Sequence, residues 1–327
     1  MIIARSPLRI SLGGGGTDLP SYYRLRGGFL LAMAIRAHVY VSVQRTLDPG
    51  LLLKYSRIER PAEVAAIEHP IIREALLELG LGAERALEVT SVADIPAGTG
   101  LGSSGSFATA LICALLALDG RQAGPDRLAE LACRIEIERL GEPVGKQDPY
   151  IAAFGGLTAF HFHPDGRVSA EPLALAAETL AELEARTLMF YTGRTRSAGA
   201  ILAEQDRASR ALDPAMLANL DRVKEIGLAT REAFARGDLQ HWGRLMREHW
   251  EAKKRRSSAM SNPDIDRWYD LALREGAVGG KLVGAGGGGF LLFLADDPPR
   301  LRRALAAEGL REVPVRLERQ GTTLLAA

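Results

Sequence analysis

Thirteen of the 35 glycines in this chain fall into three short clusters. The first is residues 13–16. The second is Gly98, Gly100, Gly102 and Gly105, and the third occupies residues 284–289 with only Ala285 interrupting. Glycine loses more backbone freedom on folding than any other residue, so clusters mark places where the chain takes positive φ or approaches another group closely. The middle cluster says most. Pro96-Ala97-Gly98-Thr99-Gly100-Leu101-Gly102-Ser103-Ser104-Gly105 separates a strand-like run, residues 87–92, from an almost wholly apolar helical run, residues 106–118. Glycine backbone leading into a helix start leaves free N–H groups aimed at one point, which suits an anion. The adjacent hydroxyls of Ser103 and Ser104 can cap that helix, or face phosphate oxygens or Mg²⁺. An ordinary Gly/Ser loop capped by one of those serines is the plainer alternative.

Charge and composition narrow the classes. With 41 Lys+Arg against 40 Asp+Glu the chain lacks the basic field of a duplex nucleic-acid binder, so no nucleic-acid partner is expected. Its 327 residues suffice for two domains at ~100–200 residues each. The longest apolar run, residues 110–118, is far short of the ~20 a membrane span needs, so no membrane partner is expected. The N-terminus has no signal-peptide pattern, and a cytoplasmic protein is the default expectation. Cys113 and Cys133 lie in apolar helical patterns and read as core residues.

The elements read as α+β. Residues 2–4 and 8–12 read as a strand pair, and 29–34 and 38–43 as two further strands. Helices are expected over 69–80, from Pro125 through about 128–140, after Asp213-Pro214, after Asp238, and over 264–275 and 299–308. Strands are expected at 155–162, 188–191, 289–295 and 313–317. The texture changes near residue 168, giving domains 1–168 and 169–327.

Gly100-Leu-Gly102-Ser-Ser-Gly105 fits a dinucleotide fingerprint by spacing, but the helix after it is followed by another helix and not by a parallel strand. Residues 284–289 fit it too, yet lead into a strand. Gly145-Lys146 and Gly280-Lys281 lack the Ser or Thr of a Walker loop.

Three motifs together do find a match. Pro7-Leu-Arg9-Ile-Ser-Leu-Gly-Gly-Gly-Gly-Thr17-Asp18, the Pro96 to Ser104 loop, and Lys281-Leu-Val-Gly-Ala-Gly-Gly-Gly-Gly289 resemble, in order, the motifs of the GHMP kinases. Gly145-Lys-Gln-Asp148, Trp250-Glu-Ala-Lys-Lys-Arg255 and Asn262-Pro263 narrow the resemblance to the bacterial D-glycero-D-manno-heptose 7-phosphate kinases, which phosphorylate the anomeric hydroxyl on the route to GDP-heptose.

This resemblance implies a two-lobed fold, with an N-terminal mixed sheet and helices and a C-terminal ferredoxin-like α/β sandwich. It implies ATP held by Pro96, Gly98, Gly100, Leu101, Gly102, Ser103 and Ser104, and Mg²⁺ on Ser104 and Glu136. Glu138, two positions away and on another helix face, is the competing metal ligand. Asp148 becomes the catalytic carboxylate and Arg9 its support. Substrate falls to Gly15, Gly16, Thr17, Asp18, Gly286 and Gly287. Where galactokinase has Glu and His before its Thr-Asp, this chain has Gly15 and Gly16, which leaves room for a larger sugar or a phosphate-bearing tail. Lys146 and Arg196 are the favoured cations for that second phosphate, with Arg194 nearby. The run Lys253-Lys254-Arg255-Arg256 is a further candidate for that phosphate, but reads first as a solvated helix end complementing the helix dipole. His38, His161, His163 and His249 show no metal-ligand spacing, and Trp242 and Trp250 read as core. The resemblance leaves an L-fucose or galactose type kinase and a non-catalytic sensor as alternatives. A homodimer is compatible with the sequence, though nothing in it shows one.

Overall fold

The structure, a computed structural model, describes residues 1–82, 86–194 and 198–326. Its first part runs β1 (Ile2–Gly13), α1 (Pro20–Arg26), β2 (Gly28–Arg45), β3 (Leu51–Lys54), β4 (Ile58–Glu59), α2 (Pro70–Leu79), β5 (Leu87–Ala93) and α3 (Ser103–Leu118). There follow α4 (Pro125–Cys133), α5 (Gln147–Phe154), β6 (Leu157–Phe162), β7 (Val168–Pro172), α6 (Ala177–Arg186) and β8 (Thr187–Tyr191). The chain continues with α7 (Ala198–Arg210), α8 (Pro214–Ala235), α9 (Leu239–Lys254) and α10 (Pro263–Arg274). It closes with β9 (Ala277–Leu282), β10 (Phe290–Ala295), α11 (Pro298–Ala307), β11 (Arg311–Val313) and β12 (Thr323–Ala326).

Where two strand pairs were expected, β1 and β2 each run unbroken. Proline cannot donate to a ladder, and the register accommodates Pro7 by a bulge: Pro7 faces His38 but Leu8 faces Ile35. Arg36 and Ala37 are the extra residues, and the Arg36 N–H turns to the Arg316 carbonyl instead. β2 then forks the sheet, its first half pairing with β6 and its second with β5, in the order β12-β1-β2-β5-β3-β4. α3 packs on β1 and β2 with nearly every side buried, as its apolar sequence requires.

The second sheet is antiparallel, in the order β11-β8-β10-β9, the strand order of a ferredoxin-like sandwich. Trp242 and Trp250 on α9 are fully buried in the core. The strand expected at 313–317 is shorter than its apolar pattern suggested: β11 ends at Val313, and Leu317 bridges to Ile35 of the first sheet. The first sheet draws on residues from both sides of the line at 168, since β7 pairs with β6 and β12 returns to β1. The helix expected through about residue 140 does continue that far, as α-helix to Cys133 and as a π-helical turn over Arg134–Arg139. Cys133 is buried, Cys113 half-buried, and both are free thiols. No helix among the described residues is long and apolar enough to cross a membrane.

The returning tail is fitted tightly against the end of α5. A Cβ at Gly321 would lie 1.9 Å from the Ala153 carbonyl oxygen. Gly321→Ala is expected to cost about 1–3 kcal/mol, read as a lower urea midpoint at unchanged m-value.

Candidate active site

Gly98, Gly100 and Gly102 all take positive φ, 78°, 84° and 78°. The third is the residue that starts α3, so Ser103 and Ser104 stand in the first helical turn and neither caps it. The alternative of a serine cap is therefore not what forms: a left-handed glycine holds the cap position, which leaves both hydroxyls uncommitted to the helix. Gly98, Gly100, Gly102, Ser103 and Ser104 line a cavity of about 660 Å³. Leu101 does not: it is fully buried, and its carbonyl accepts the Arg9 N–H at 3.0 Å. Pro96 also stands outside the cavity wall, exposed, with its carbonyl accepting the Thr99 hydroxyl at 3.0 Å. The third glycine cluster packs backbone to backbone on this loop. A Cβ at Gly284 would sit 2.5 Å from Gly100 Cα, and one at Gly289 2.2 Å from the Thr99 carbonyl.

Arg9 projects from the middle of β1 beneath the loop. Its Nε donates to Asp148 Oδ1 at 2.7 Å, Nη2 to Oδ2 at 2.9 Å, and Nη1 to the Gly100 carbonyl at 2.6 Å. A bidentate guanidinium–carboxylate pair fixes the carboxylate plane as well as its position. Asp148 occupies the first turn of α5, where helix N–H groups favour an anion. Gly105 makes the approach feasible, because a Cβ there would meet Asp148 Cβ at 2.8 Å.

Glu136 sits in the π-helical turn, buried and facing the cavity, while Glu138 is exposed. Burial and the nearby Asp148 and Glu142 carboxylates push the Glu136 carboxyl up to about 7, against the pull of a Ser104 hydrogen bond. No basic group lies within ion-pair distance of it among the described residues. A buried carboxylate beside a hydroxyl, short of positive charge, suits one divalent cation. No group of three or more His, Cys, Asp or Glu forms a full metal cage among the described residues.

Asp18 is buried and also lines the cavity, near Asp148. Its Oδ1 accepts from Gly16 N at 3.1 Å and its Oδ2 from Gln147 N at 3.2 Å, while burial and the Asp148 charge raise its pKa. Gly145 has to be glycine here, since a Cβ would lie 1.8 Å from Asp18 Oδ2. Gly15, Gly16 and Gly286 also line the cavity.

Three expected substrate contacts, Thr17, Lys146 and Gly287, fall elsewhere among the described residues. The Thr17 hydroxyl is fully buried, 2.9 Å from the Gly14 carbonyl and 2.8 Å from that of Phe29, so it braces the turn. Lys146 turns away from the cavity to Glu130 at 2.9 Å and the Gly166 carbonyl at 2.8 Å. The backbone of Gly287 donates to the Met260 carbonyl at 3.0 Å, and the residue does not line the cavity. Arg196 lies outside the described residues, and Arg194 pairs with Asp264 on the surface.

Residues 65–156 match the model for the GHMP kinases N terminal domain, and 230–310 that for the GHMP kinases C terminal. The D-glycero-alpha-D-manno-heptose 7-phosphate kinase of Campylobacter jejuni is 30% identical over 319 residues, 94% of each chain. The chain belongs to the GHMP kinases. The L-fucokinase/L-fucose-1-P guanylyltransferase of Bacteroides fragilis is also 30% identical, but this chain spans only 36% of its length. Among solved structures, a D-glycero-D-manno-heptose 1-phosphate kinase from Bacteroides thetaiotaomicron aligns with TM-score 0.81 at 23% identity, covering 100% of this chain and 99% of that one. Lactococcus lactis galactokinase, complexed with galactose, aligns at 0.78 and 18%, covering 98% and 94%. Below 25% identity these last two speak for the fold.

Sequence reasoning missed two parts of this GHMP kinase cleft. At one end Tyr55, His69 and Phe107 form an aromatic wall, with ring centroids 4.7 Å apart for the first pair and 5.0 Å for the second. At the other end His249, Lys253, Arg256 and Lys281 are buried around the cavity. Lys253 and Arg256 were read as a solvated helix end, yet both face inward. The missed signal is spacing. His249, Lys253 and Arg256 sit at i, i+4 and i+7, which continues the buried stripe of α9 one turn further.

Burial, Arg9 and Arg256 lower the Lys281 pKa from 10.5 to about 7. A lysine lowered in the folded state destabilises fully below that folded value, and the penalty fades as pH rises towards 10.5. Lys281→Met is therefore expected to raise Tm, and to raise it more near pH 6.5 than at about pH 9. An equal shift at both would show that Lys281 is not strained by its charge.

Proposed function

We propose that this GHMP kinase transfers the γ-phosphoryl group of ATP to the anomeric C1 hydroxyl of D-glycero-D-manno-heptose 7-phosphate, giving the 1,7-bisphosphate. In the pathway we infer, the product feeds GDP-heptose synthesis for capsule or another surface polysaccharide, in the cytoplasm. The observation that carries the catalytic reading is the bidentate Arg9–Asp148 pair set against the glycine loop at the head of α3. A carboxylate fixed at that point is placed to take a proton while the loop holds the donor phosphates. The 30% identity with the Campylobacter jejuni heptose 7-phosphate kinase supports the choice of sugar.

In this mechanism the aromatic wall of Tyr55, His69 and Phe107 takes the adenine. The N–H groups of the loop and of α3 take the triphosphate. Asp18 holds hydroxyls of the sugar so that its C1 oxygen faces the γ-phosphorus. Asp148 accepts the C1–OH proton as the new P–O bond forms and the β–γ bridging P–O bond breaks, releasing ADP. An anomeric hydroxyl is more acidic than other sugar hydroxyls, so Asp148 needs no unusual basicity. Arg9 keeps the carboxylate aimed and balances charge as it builds on the phosphoryl oxygens. Ser104 and Glu136 would hold Mg²⁺, which supplies positive charge to the phosphates.

A coupled ADP-release assay over a sugar panel tests the substrate. Turnover is expected with heptose 7-phosphate, whereas turnover only with L-fucose or galactose would overturn the choice of sugar. Asp148→Asn is expected to lower kcat by about 10²–10⁴-fold while ATP still binds. A rate near that of the wild type would remove Asp148 from the proton transfer and favour a different base. Glu136→Gln is expected to raise the Mg²⁺ concentration for half-maximal activity about 10–100-fold, and an unchanged titration would exclude it as a ligand.

A further inference from the structure

Three buried basic side chains meet in the cleft without a carboxylate partner within ion-pair distance. Lys281 near the end of β9 is 2% exposed, Lys253 in the last turn of α9 and Arg256 just beyond it are 7% each, and all three line the cavity. Among the described residues none has an acidic oxygen within ion-pair distance, and Asp18 attracts Arg256 only from further away. Arg9, the fourth cation here, is committed to Asp148. Burying charges of one sign together costs stability unless something of the opposite sign arrives.

The three are not equivalent. Lys253 is spent on backbone, donating to the carbonyls of Leu282 and Gly284, so it fixes the third glycine loop. Lys281 and Arg256 make longer contacts with neutral groups. The Lys281 ammonium lies 3.3 Å from both Ser11 Oγ and His249 Nδ1. Arg256 donates to Gly15 O at 3.3 Å from two nitrogens, to Gln205 Oε1 at 3.2 Å and to Asn219 Oδ1 at 3.0 Å. An anionic oxygen makes shorter and stronger bonds than these, typically ~2.7–2.9 Å to a cationic N–H.

Gly16 shows that the guanidinium belongs where it is. A Cβ on Gly16 would come within 2.4 Å of Arg256 Nη1. The space left by the glycine pair, expected from the sequence to admit more substrate, is thus partly taken by an arginine. A neutral sugar gives this cluster nothing, whereas a phosphate monoester dianion would balance it.

We propose that Arg256 and Lys281 form the subsite for a phosphate that the sugar already carries, and that this subsite makes the kinase select a sugar phosphate over the corresponding free sugar. The proposal rests on the sugar-kinase reading of the same cleft. It places the distal phosphate against α9 and β9, where Lys146, facing away, cannot reach.

The test measures kcat and KM for D-glycero-D-manno-heptose 7-phosphate, for D-glycero-D-manno-heptose and for ATP. It uses the full chain as wild type, Arg256→Gln, Lys281→Met and Lys281→Arg. The wild type is expected to prefer the phosphorylated sugar, and each charge-removing variant to lose about 10–100-fold of that preference through a raised KM for the sugar phosphate. Lys281→Arg should recover part of it. An unchanged preference, or a parallel loss on both sugars with a raised KM for ATP, would assign the cluster to folding or to the transferring phosphoryl group and overturn the proposal. Inorganic phosphate supplies a readout independent of turnover. Phosphate should raise the wild-type Tm more than that of Arg256→Gln or Lys281→Met, and equal shifts in all three would also overturn it. If neither heptose is phosphorylated while the phosphate shift remains specific to the wild type, the choice of sugar fails and the anion subsite stands.

Discussion

The site depends on one arginine. Arg9 ties strand β1 to the phosphate-binding loop through the Gly100 carbonyl, and to α5 through both oxygens of Asp148. These three elements meet at a point where glycine lets backbone approach backbone. Gly100 lies under Gly284, Thr99 under Gly289 and Gly105 against Asp148. The glycine clusters therefore serve both as ligand-facing surface and as the seam that joins the two sheets' loops around one cleft. A side chain at any of these contacts would part the seam before it touched a ligand.

Charge is distributed unevenly along that cleft. Around the head of α3 the acids Glu136 and Asp148 crowd together, and burial with the neighbouring carboxylates pushes Glu136 up to about 7. Around Gly16 the bases crowd together, and Lys281 is pushed down to about 7. Each end is short of the opposite charge, a cation at the first and an anion at the second. A metal-bound nucleotide entering from one side and a phosphorylated sugar from the other would relieve both. Until they arrive the protein carries the electrostatic cost in its own stability, as sites tuned for function commonly do.

Much of this was legible in the sequence because the signals are local. Asp213 and Asp238 cap the helices that their positions announce, and Gly80 ends α2 in the left-handed conformation. The loop around Gly98 to Ser104 shows its strand–loop–helix context within a few residues. What stayed hidden depends on partners distant in sequence. Lys146 is beside Asp148 in the chain, but Glu130 on α4 draws it to the opposite side. Residues 2–4 and 8–12 read as a pair of strands, while in the fold they are one strand whose Pro7 the opposing strand absorbs by bulging at Arg36 and Ala37. The π-helical turn that sets Glu136 inward has no spacing signature of its own. Lys253 and Arg256 carry the right helical spacing, but a run of four bases looks solvated until the Leu282 and Gly284 carbonyls are seen to receive Lys253, and the backbone at Gly15 and Gly16 to receive Arg256.

The central claim is that a sugar held by Asp18 and the cation pair presents its anomeric oxygen to the γ-phosphorus beside Asp148. Phosphorus NMR of the product made from ATP and D-glycero-D-manno-heptose 7-phosphate tests it most directly. The expected spectrum keeps the C7 phosphate resonance and adds one phosphate coupled to the anomeric proton. A new phosphate coupled to any other sugar proton would contradict the account, as would ADP formed with no new sugar phosphate.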